Sequence, residues 1–373
     1  MDIEKELTPE QEDVRYLQEK LEETHFDLYR NVDETKFTEA LESAADADPG
    51  YFKIALQEAL ALIGDAHISI QGFLNGKYPP IECKEITGKF YIIGASEQHT
   101  GLIGQEIKQI DGYTIEEIIP KVSKLSSKES REVLLAGLPV YMTSNSILKY
   151  YGLSNGDTTE ISTDIGKTKI AEQKDIKIKT RNPFKWKTHE LEDSTFLGNR
   201  DYRLRMVGET LLFQYNSCTN ENHTQEELKI FKRDLLKLAK TSKTIVVDLR
   251  QNSGGNTSVM GDLFEKFPVN KKIYVAIGRK TFSSAIHHLF YLKNNKNAVL
   301  IGENAGQKPN RFGDHKVIEL PNSHIKVNCS YKYFEFLPGQ DLDVIEPDIK
   351  IPVTIEDYKN ETDPLNKWIK DNL

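Results

Sequence analysis

Apolar residues recur at helical spacing near the start of the chain, where Val14, Leu17 and Leu21 mark one face. A second helical face follows in Ile54, Ala55, Leu56, Ala59, Leu60 and Ile63. Pro80 and Gly88 then punctuate a change to strands. Residues 89–94 read as a strand and 104–113 as strand then turn, with Asp111-Gly112 at the turn. Thr114 and Glu117 stand at capping-box spacing for a helix. From 161 to 187 the pattern is alternating and polar, as in exposed antiparallel strands, and 183–187 reads as loop or edge.

The last part of the chain differs in kind. Strand patterns at 210–215, 245–249 and 272–277 are interleaved with helical ones. One helix has a capping box from Thr224 to Glu227 and an apolar face of Leu228, Phe231, Leu235 and Leu238. A further helix is expected between the strands at 245–249 and 272–277. Strands alternating with helices predict a parallel or mixed α/β sheet.

Candidate chemistry sits at Thr281-Phe282-Ser283-Ser284-Ala285, between the 272–277 strand and a helical stretch carrying Ile286, Leu289 and Phe290. A serine at such a strand-to-helix turn projects from the carboxyl end of a strand, beside the unpaired N–H groups and positive dipole end of the helix. That favours developing negative charge and suits acyl transfer. Serine is also a common N-cap, so the pentapeptide alone does not separate nucleophile from cap. Upstream, Asp248-Leu249-Arg250-Gln251-Asn252-Ser253-Gly254-Gly255 reads as a buried strand running into a glycine turn. Gly254 and Gly255 can take backbone angles closed to other residues, so their N–H groups can converge on an oxyanion.

Together these segments resemble the C-terminal processing (tail-specific) serine proteases, whose relatives include the tricorn core protease and the chlamydial protease-like factor. The match is to Asp-Leu-Arg-x-Asn-x-Gly-Gly. Residues 298–303 with Gly306-Gln307-Lys308-Pro309-Asn310 look like the family's next strand and loop, Ile345-Glu346-Pro347-Asp348 like its closing motif, and Gly64-Asp65-Ala66-His67 like its Gly-Asp-x-His segment. The resemblance implies an α/β multidomain protein. Its parts are a helical N-terminal region (1–75) carrying His67, a PDZ-like and β-rich middle region (76–200), and a catalytic core (201–373) of the crotonase and Clp-protease spiral type. The middle region is similar to the Gly-x-x-Ile-x-x-Ile-Asp-Gly core of PDZ domains, which bind a chain terminus by strand addition. The carboxylate-binding loop is not recognisable, Gly101-Leu102 being the nearest candidate.

The resemblance makes Ser283 the nucleophile, with Gly254 or Gly255 and Ser284 as oxyanion donors. It offers two bases. The tail-specific branch places a lysine where Lys308 stands; the tricorn-like branch uses the histidine of Gly-Asp-x-His, here His67, supported by an acidic residue that maps to Asp341. Bringing a lysine from about 10.4 towards neutrality costs on the order of 4–5 kcal/mol, whereas an imidazole ordinarily titrates near 6.5. The tail-specific Ser-Ala-Ser-Glu run is also replaced here by Ser283-Ser284-Ala285-Ile286. His67 is therefore the expected base and Lys308 the alternative.

Bulk properties set outer limits. At 373 residues the chain has room for two or three domains. A net charge of -8 without a basic cluster argues against nucleic acid as partner, and the resemblance implies a polypeptide substrate. No apolar run reaches the length of a membrane span, and the opening Met1-Asp2-Ile3-Glu4-Lys5-Glu6 lacks the basic and apolar parts of a signal peptide, which fits the cytoplasm. Cys83, Cys218 and Cys329 form neither a disulfide framework nor metal-site spacing, and no cofactor or metal is implied. Homo-oligomerisation is left open. The same fold serves the interphotoreceptor retinoid-binding proteins, which bind apolar ligands without proteolysis, but this chain keeps candidates for serine, glycine donors and base.

Overall fold

The computed structural model describes residues 6–74, 77–174, 176–180, 184, 201–221 and 223–373. Of the loop or edge expected at 183–187, all but Phe184 lies outside them. The chain forms two compact units, the first made of Met1–Thr180 with Asn310–Asp341 and the second of Arg181–Pro309 with Leu342–Leu373.

In the first unit, helix Pro9–Thr24 starts at a capping box of Thr8 and Gln11, and Glu34–Ala45 starts at Asp33, whose carboxylate takes the Lys36 N–H. With Phe52–Ala61 they bury Leu17, Leu21, Phe37, Leu41, Leu56 and Leu60 against Val327 and Cys329 of a long antiparallel hairpin, Asn310–Glu319 with Lys326–Glu335. That hairpin was not anticipated from sequence. A separate core gathers Phe90, Ile92, Ile110, Ile118, Leu148 and Ile161. Around it stand the Ile81–Ile86 and Lys89–Ala95 strands, the Thr159–Thr163 and Gly166–Ile170 hairpin, and helix Ile115–Val122 with its Thr114 and Glu117 capping box. Within 104–113 the extended part comes in two pieces, Glu106 bridging Tyr91 of the Lys89–Ala95 strand and Gln109–Ile110 pairing as a short strand before the turn, where Asp111 and Gly112 take φ of 49° and 85°.

The second unit is built on a six-stranded sheet in the order Tyr202–Val207, Thr210–Tyr215, Thr244–Asp248, Lys272–Ile277, Val299–Gly302, Ile349–Lys350. The first pair is antiparallel and every later neighbour is parallel, so the mixed α/β sheet expected from the alternation is present. The Thr224 capping box opens helix Gln225–Thr241, which buries Leu228, Phe231, Leu235 and Ala239. Leu238 is only half-buried, because one full turn beyond Leu235 the core-facing position is 239.

The helix expected between the Thr244–Asp248 and Lys272–Ile277 strands is absent. That stretch holds a 3-10 turn, Thr257–Val259, followed by successive tight turns. Met260, Leu263, Phe264 and Phe267 have helical spacing and are buried, but Gly261 sits at φ 56° and breaks the α conformation. The backbone bonds that follow run largely three residues back, as Leu263 to Met260 and Phe267 to Phe264.

Beneath the glycine turn lies a buried ionic knot. Arg250 donates to both carboxylate oxygens of Asp248 at 2.9 and 2.8 Å, and to both of Asp363 at 2.8 and 2.7 Å. Its guanidinium also lies 4.6 Å from the Phe184 ring centre. Asp363 is the N-cap of the terminal helix Pro364–Asn372, whose Leu365 and Ile369 pack with Leu212, Val246 and Tyr274. Removing one partner of a buried pair strands the remaining charge, at a cost of about 3–5 kcal/mol. Asp363→Ala should therefore destabilise the protein by about that amount in urea unfolding, and Asp363→Asn by less, since asparagine still caps.

Candidate active site

Ser283 occupies the N-cap position of helix Ser284–Lys296 with φ 51° and ψ -119°. That conformation is uncommon for any residue with a Cβ and persists only where surrounding structure enforces it. Two contacts do so. The Ser283 N–H donates to Gln307 Oε1 at 2.7 Å, and the helix turns at once, with Ala285 N–H on Phe282 O at 3.0 Å and Ile286 N–H on Ser283 O at 2.9 Å. The Ser283 side chain makes no capping bond to the helix. A serine held in strained backbone at a strand-to-helix turn is the arrangement of a nucleophile elbow.

The glycine turn lies against this elbow. A Cβ on Gly254 would fall 2.6 Å from the Ser283 Cβ, and one on Gly255 would fall 2.3 Å from the Cys218 carbonyl oxygen. With φ of 100° and 124°, only glycine fits at either position. The two differ in what their N–H groups do. Gly254 donates to Asn252 Oδ1 at 2.9 Å. Among the described residues the N–H groups of Gly255 and Ser284 have no hydrogen-bond partner. The Ser284 hydroxyl ties the two strands of the site together by donating to Gly255 O at 2.5 Å. Asn252, fully buried, braces the turn further by donating to Tyr215 O at 3.0 Å.

In the first unit His67 follows helix Phe52–Ala61 on a turn opened by Gly64 at φ 74°. Its side chain is 8 % exposed, and Nδ1 lies 3.7 Å from Asp65 Oδ1. The same oxygen accepts the His67 backbone N–H at 2.8 Å. Asp65 Oδ2 faces His25 Nε2 at 3.3 Å, while His25 Nδ1 accepts the Asp27 N–H at 3.2 Å. The Asp27 contact makes Nδ1 the acceptor, so the His25 proton is on Nε2 and points at Asp65. Burial alone would raise the Asp65 carboxyl, but hydrogen bonds from His25 and His67 outweigh it and hold it well below the usual range. Glu129 behaves oppositely. Burial and the Asp65 charge push its carboxyl up, although it accepts the Ala66 N–H at 2.9 Å. Arg311, also buried, is lowered to about 10 by burial, opposed by Glu129 and Asp65.

The remaining expected residues are placed as follows. Lys308 is half-buried in the loop after the Val299–Gly302 strand, next to Gln307, and makes no hydrogen bond or ion pair among the described residues. Asp341 is exposed and likewise makes none; the carboxylate beside His67 within the first unit is Asp65. His25, Glu129, Arg311, Asn252 and Gln307 were not found as site residues from sequence. Gln307 and Asn252 had a signal, since they lie in the Gly306-to-Asn310 loop and the Asp248-to-Gly255 segment already matched.

Comparison with known proteins agrees with the fold. The chain is similar to mature CPAF, with a TM-score of 0.64 at 10 % identity over 97 % of this chain and 96 % of that one. A point mutant of CPAF gives 0.65 at 12 % identity over 96 % and 95 %, and mature CPAF complexed with lactacystin gives 0.62 at 10 % identity over 97 % of each. The chain thus shares the fold of CPAF over nearly its whole length. No family model matches the sequence, and none of the curated proteins does. Among the described residues no helix is long and apolar enough to cross a membrane, and no group of three or more metal-ligating side chains is present.

Two outcomes follow from this geometry. Asn252→Ala removes the acceptor that fixes Gly254, so it should cost about 1–3 kcal/mol of stability and lower any turnover by the site more than it weakens substrate binding. For Glu129, the folded carboxyl titrates above its unfolded value of about 4.3, so the folded state binds more protons there and stability falls as pH rises through that window. Glu129→Gln should flatten the fall in thermal midpoint between weakly acidic and neutral pH and leave the variant at least as stable at neutral pH.

Proposed function

We propose that this chain is a serine endopeptidase of the processing-protease type, hydrolysing peptide bonds through Ser283. The observation that carries the reading is the strained backbone of Ser283 beside the two uncommitted N–H groups of Gly255 and Ser284. Those are the parts that acyl transfer needs: a serine hydroxyl and preorganised donors for the charge that develops on the carbonyl oxygen. Similarity of fold to CPAF supports the reading without carrying it, since identities of 10–12 % speak to fold alone.

In the proposed reaction the Ser283 Oγ attacks the scissile carbonyl and its proton passes to His67. The tetrahedral oxyanion accepts from the Gly255 and Ser284 N–H groups. As the C–N bond breaks, the imidazolium returns the proton to the leaving amine, and water then releases the acyl group by the same route. The resemblance gives the orienting carboxylate as Asp341. The 3.7 Å approach of Asp65 to His67 Nδ1, and the clamp of His25 on its other oxygen, favour Asp65 for that role. Lys308 remains the alternative base, of a serine-lysine dyad.

The test uses an unstructured protein substrate and a fluorophosphonate probe. Ser283→Ala should lose turnover and labelling while keeping its fold, and His67→Ala should be nearly as damaging, with Lys308→Met tolerated. Asp65→Asn should slow turnover at least tenfold, the order expected when the ring loses its orienting partner, and Asp341→Asn should not. Turnover by Ser283→Ala equal to that of the unmodified chain would remove the protease reading. Inactive Lys308→Met with active His67→Ala would move the base to Lys308.

A further inference from the structure

In the first unit the loop at 154–158 joins helix Asn145–Tyr150 to strand Thr159–Thr163. Asn155, Gly156, Asp157 and Thr158 are all exposed. Neither the Asn155 side-chain amide nor the Gly156 N–H has a hydrogen-bond partner among the described residues. Beyond its chain neighbours, a Cβ on Gly156 would touch only Thr158, at 3.5 Å or more, so nothing crowds the peptide that joins the two residues. We infer that Asn155 is a site of spontaneous covalent modification, at which the Gly156 backbone nitrogen closes on the Asn155 side-chain amide and water then leaves aspartate or isoaspartate at 155. The inference stands apart from the protease reading.

The step balances with water as the only co-reactant. The Gly156 nitrogen loses its proton and bonds to Asn155 Cγ, the Cγ–Nδ2 bond breaks, and ammonia leaves as a cyclic imide closes. Water then adds to either imide carbonyl. Opening at one gives aspartate, and opening at the other gives isoaspartate, in which the backbone runs through the side-chain carbons. Closure needs the nitrogen of the following residue to approach Cγ. A Cβ on that residue hinders the approach, whereas glycine takes most backbone angles freely.

The structure separates this asparagine from others that precede a small residue. Asn252, before Ser253, is fully buried, donates to Tyr215 O at 3.0 Å and accepts the Gly254 N–H at 2.9 Å. Asn322, before Ser323, is exposed, but its amide donates to Pro9 O and Glu12 Oε2, each at 3.1 Å. The Ser323 N–H that would have to attack is itself held by Asp13 Oδ2 at 2.9 Å. The other Asn-Gly step, Asn75-Gly76, lies outside the described residues.

Conversion at 155 has a structural consequence. Asn145 Nδ2 reaches Ser154 Oγ at 3.3 Å and Thr159 Oγ1 at 3.4 Å, so one side chain holds both ends of the loop. Isoaspartate adds a backbone atom between those fixed ends, beside the strand whose Ile161 packs in the core with Ile110 and Leu148. Asn155 also lines a cavity of about 390 Å³ with Asp111, Glu160 and Lys169, so a carboxylate made there joins two of like charge against one cation.

The experiment ages the full chain in weakly alkaline buffer, folded and in guanidinium chloride. Each peptide is followed by mass spectrometry and by methyl transfer from S-adenosylmethionine with an isoaspartyl methyltransferase. In the folded chain the peptide holding Asn155 should gain one mass unit and accept methyl, at a rate within a few-fold of that in denaturant. The peptides holding Asn252 and Asn322 should change only in denaturant. Gly156→Ala, at an exposed position with room for the methyl group, should slow the change at 155 by about tenfold or more. A 155 peptide that stays unaltered in the folded chain after the denatured one has converted fully, or an unaltered rate in Gly156→Ala, would overturn the assignment. The aged chain should also unfold a few degrees below Asn155→Gln aged alike, a comparison in which any change at Asn75 cancels. Equal midpoints would overturn the effect assigned to the clamped loop.

Discussion

The approach of the Gly254 backbone to Ser283 is the constraint on which the second unit's chemistry depends. A methyl group on Gly254 would fall 2.6 Å from the serine Cβ and 3.0 Å from the Ser284 nitrogen, so the two segments can lie this close only because one carries no side chain. Closeness has a consequence for electrostatics. It leaves the Gly255 and Ser284 N–H groups without partners among the described residues, one from a turn and one from a helix N-terminus, where partial positive charge is already concentrated. The strain at Ser283 is the counterpart of that arrangement. A φ of 51° for a residue with a Cβ costs of order 1–3 kcal/mol, and the Gln307 bond together with the packed helix offsets it.

Rigid support for the turn comes from below it. Arg250 is held by four charge-assisted bonds to Asp248 and Asp363, and Asp248 also accepts the Arg250 N–H at 3.1 Å. Its planar guanidinium meets both carboxylates in parallel pairs, a match that lysine could not reproduce. The Asp-Leu-Arg part of the matched motif is thus structural, while Asn252 and the glycines two and three residues on shape the site. A motif of eight residues therefore divides into an anchor and a working end. The anchor fixes the strand end and the terminal helix as one body, and the working end inherits its position.

Elements whose signals are local were legible in the sequence. The capping boxes at Thr114 and Thr224, the buried strands at 210–215 and 272–277, and the glycine turn all appear where the pattern puts them, because each is decided by residues within a few positions. What was missed is decided at a distance. The Asn310–Glu319 and Lys326–Glu335 hairpin alternates too weakly to announce itself, and it is fixed by packing on helices some three hundred residues earlier. The helix expected between the strands at 245–249 and 272–277 is absent although Met260, Leu263, Phe264 and Phe267 there have helical spacing and are buried, because a single glycine at positive φ is enough to alter the backbone beneath them. The Ser283 turn was legible as a strand-to-helix serine. Its partners Asn252 and Gln307 act through amide side chains, which carry no periodic signature.

The first unit shows how a histidine can be prepared without any signal in its own neighbourhood. His25, some forty positions before His67, holds one oxygen of Asp65 from the far side, and Glu129 comes from a third segment. Two carboxyl groups so placed cannot both ionise cheaply in a buried setting. The hydrogen bonds from His25 and His67 settle the matter in favour of Asp65, whose carboxyl is driven down while that of Glu129 is driven up. Environments that push two neighbouring acids apart separate their affinities for the proton, Asp65 favouring the anion and Glu129 holding its proton to higher pH. The anion is the group 3.7 Å from the His67 Nδ1, so positive charge arising on that imidazole is met by a carboxylate already in place, with no proton to be shed first. Arg311, a cation lowered only to about 10, keeps the cluster from carrying uncompensated negative charge. The polarity of the cluster is therefore set by the hydrogen bonds of the two histidines to Asp65, and Glu129, which accepts the Ala66 N–H, is the carboxyl that holds its proton to higher pH.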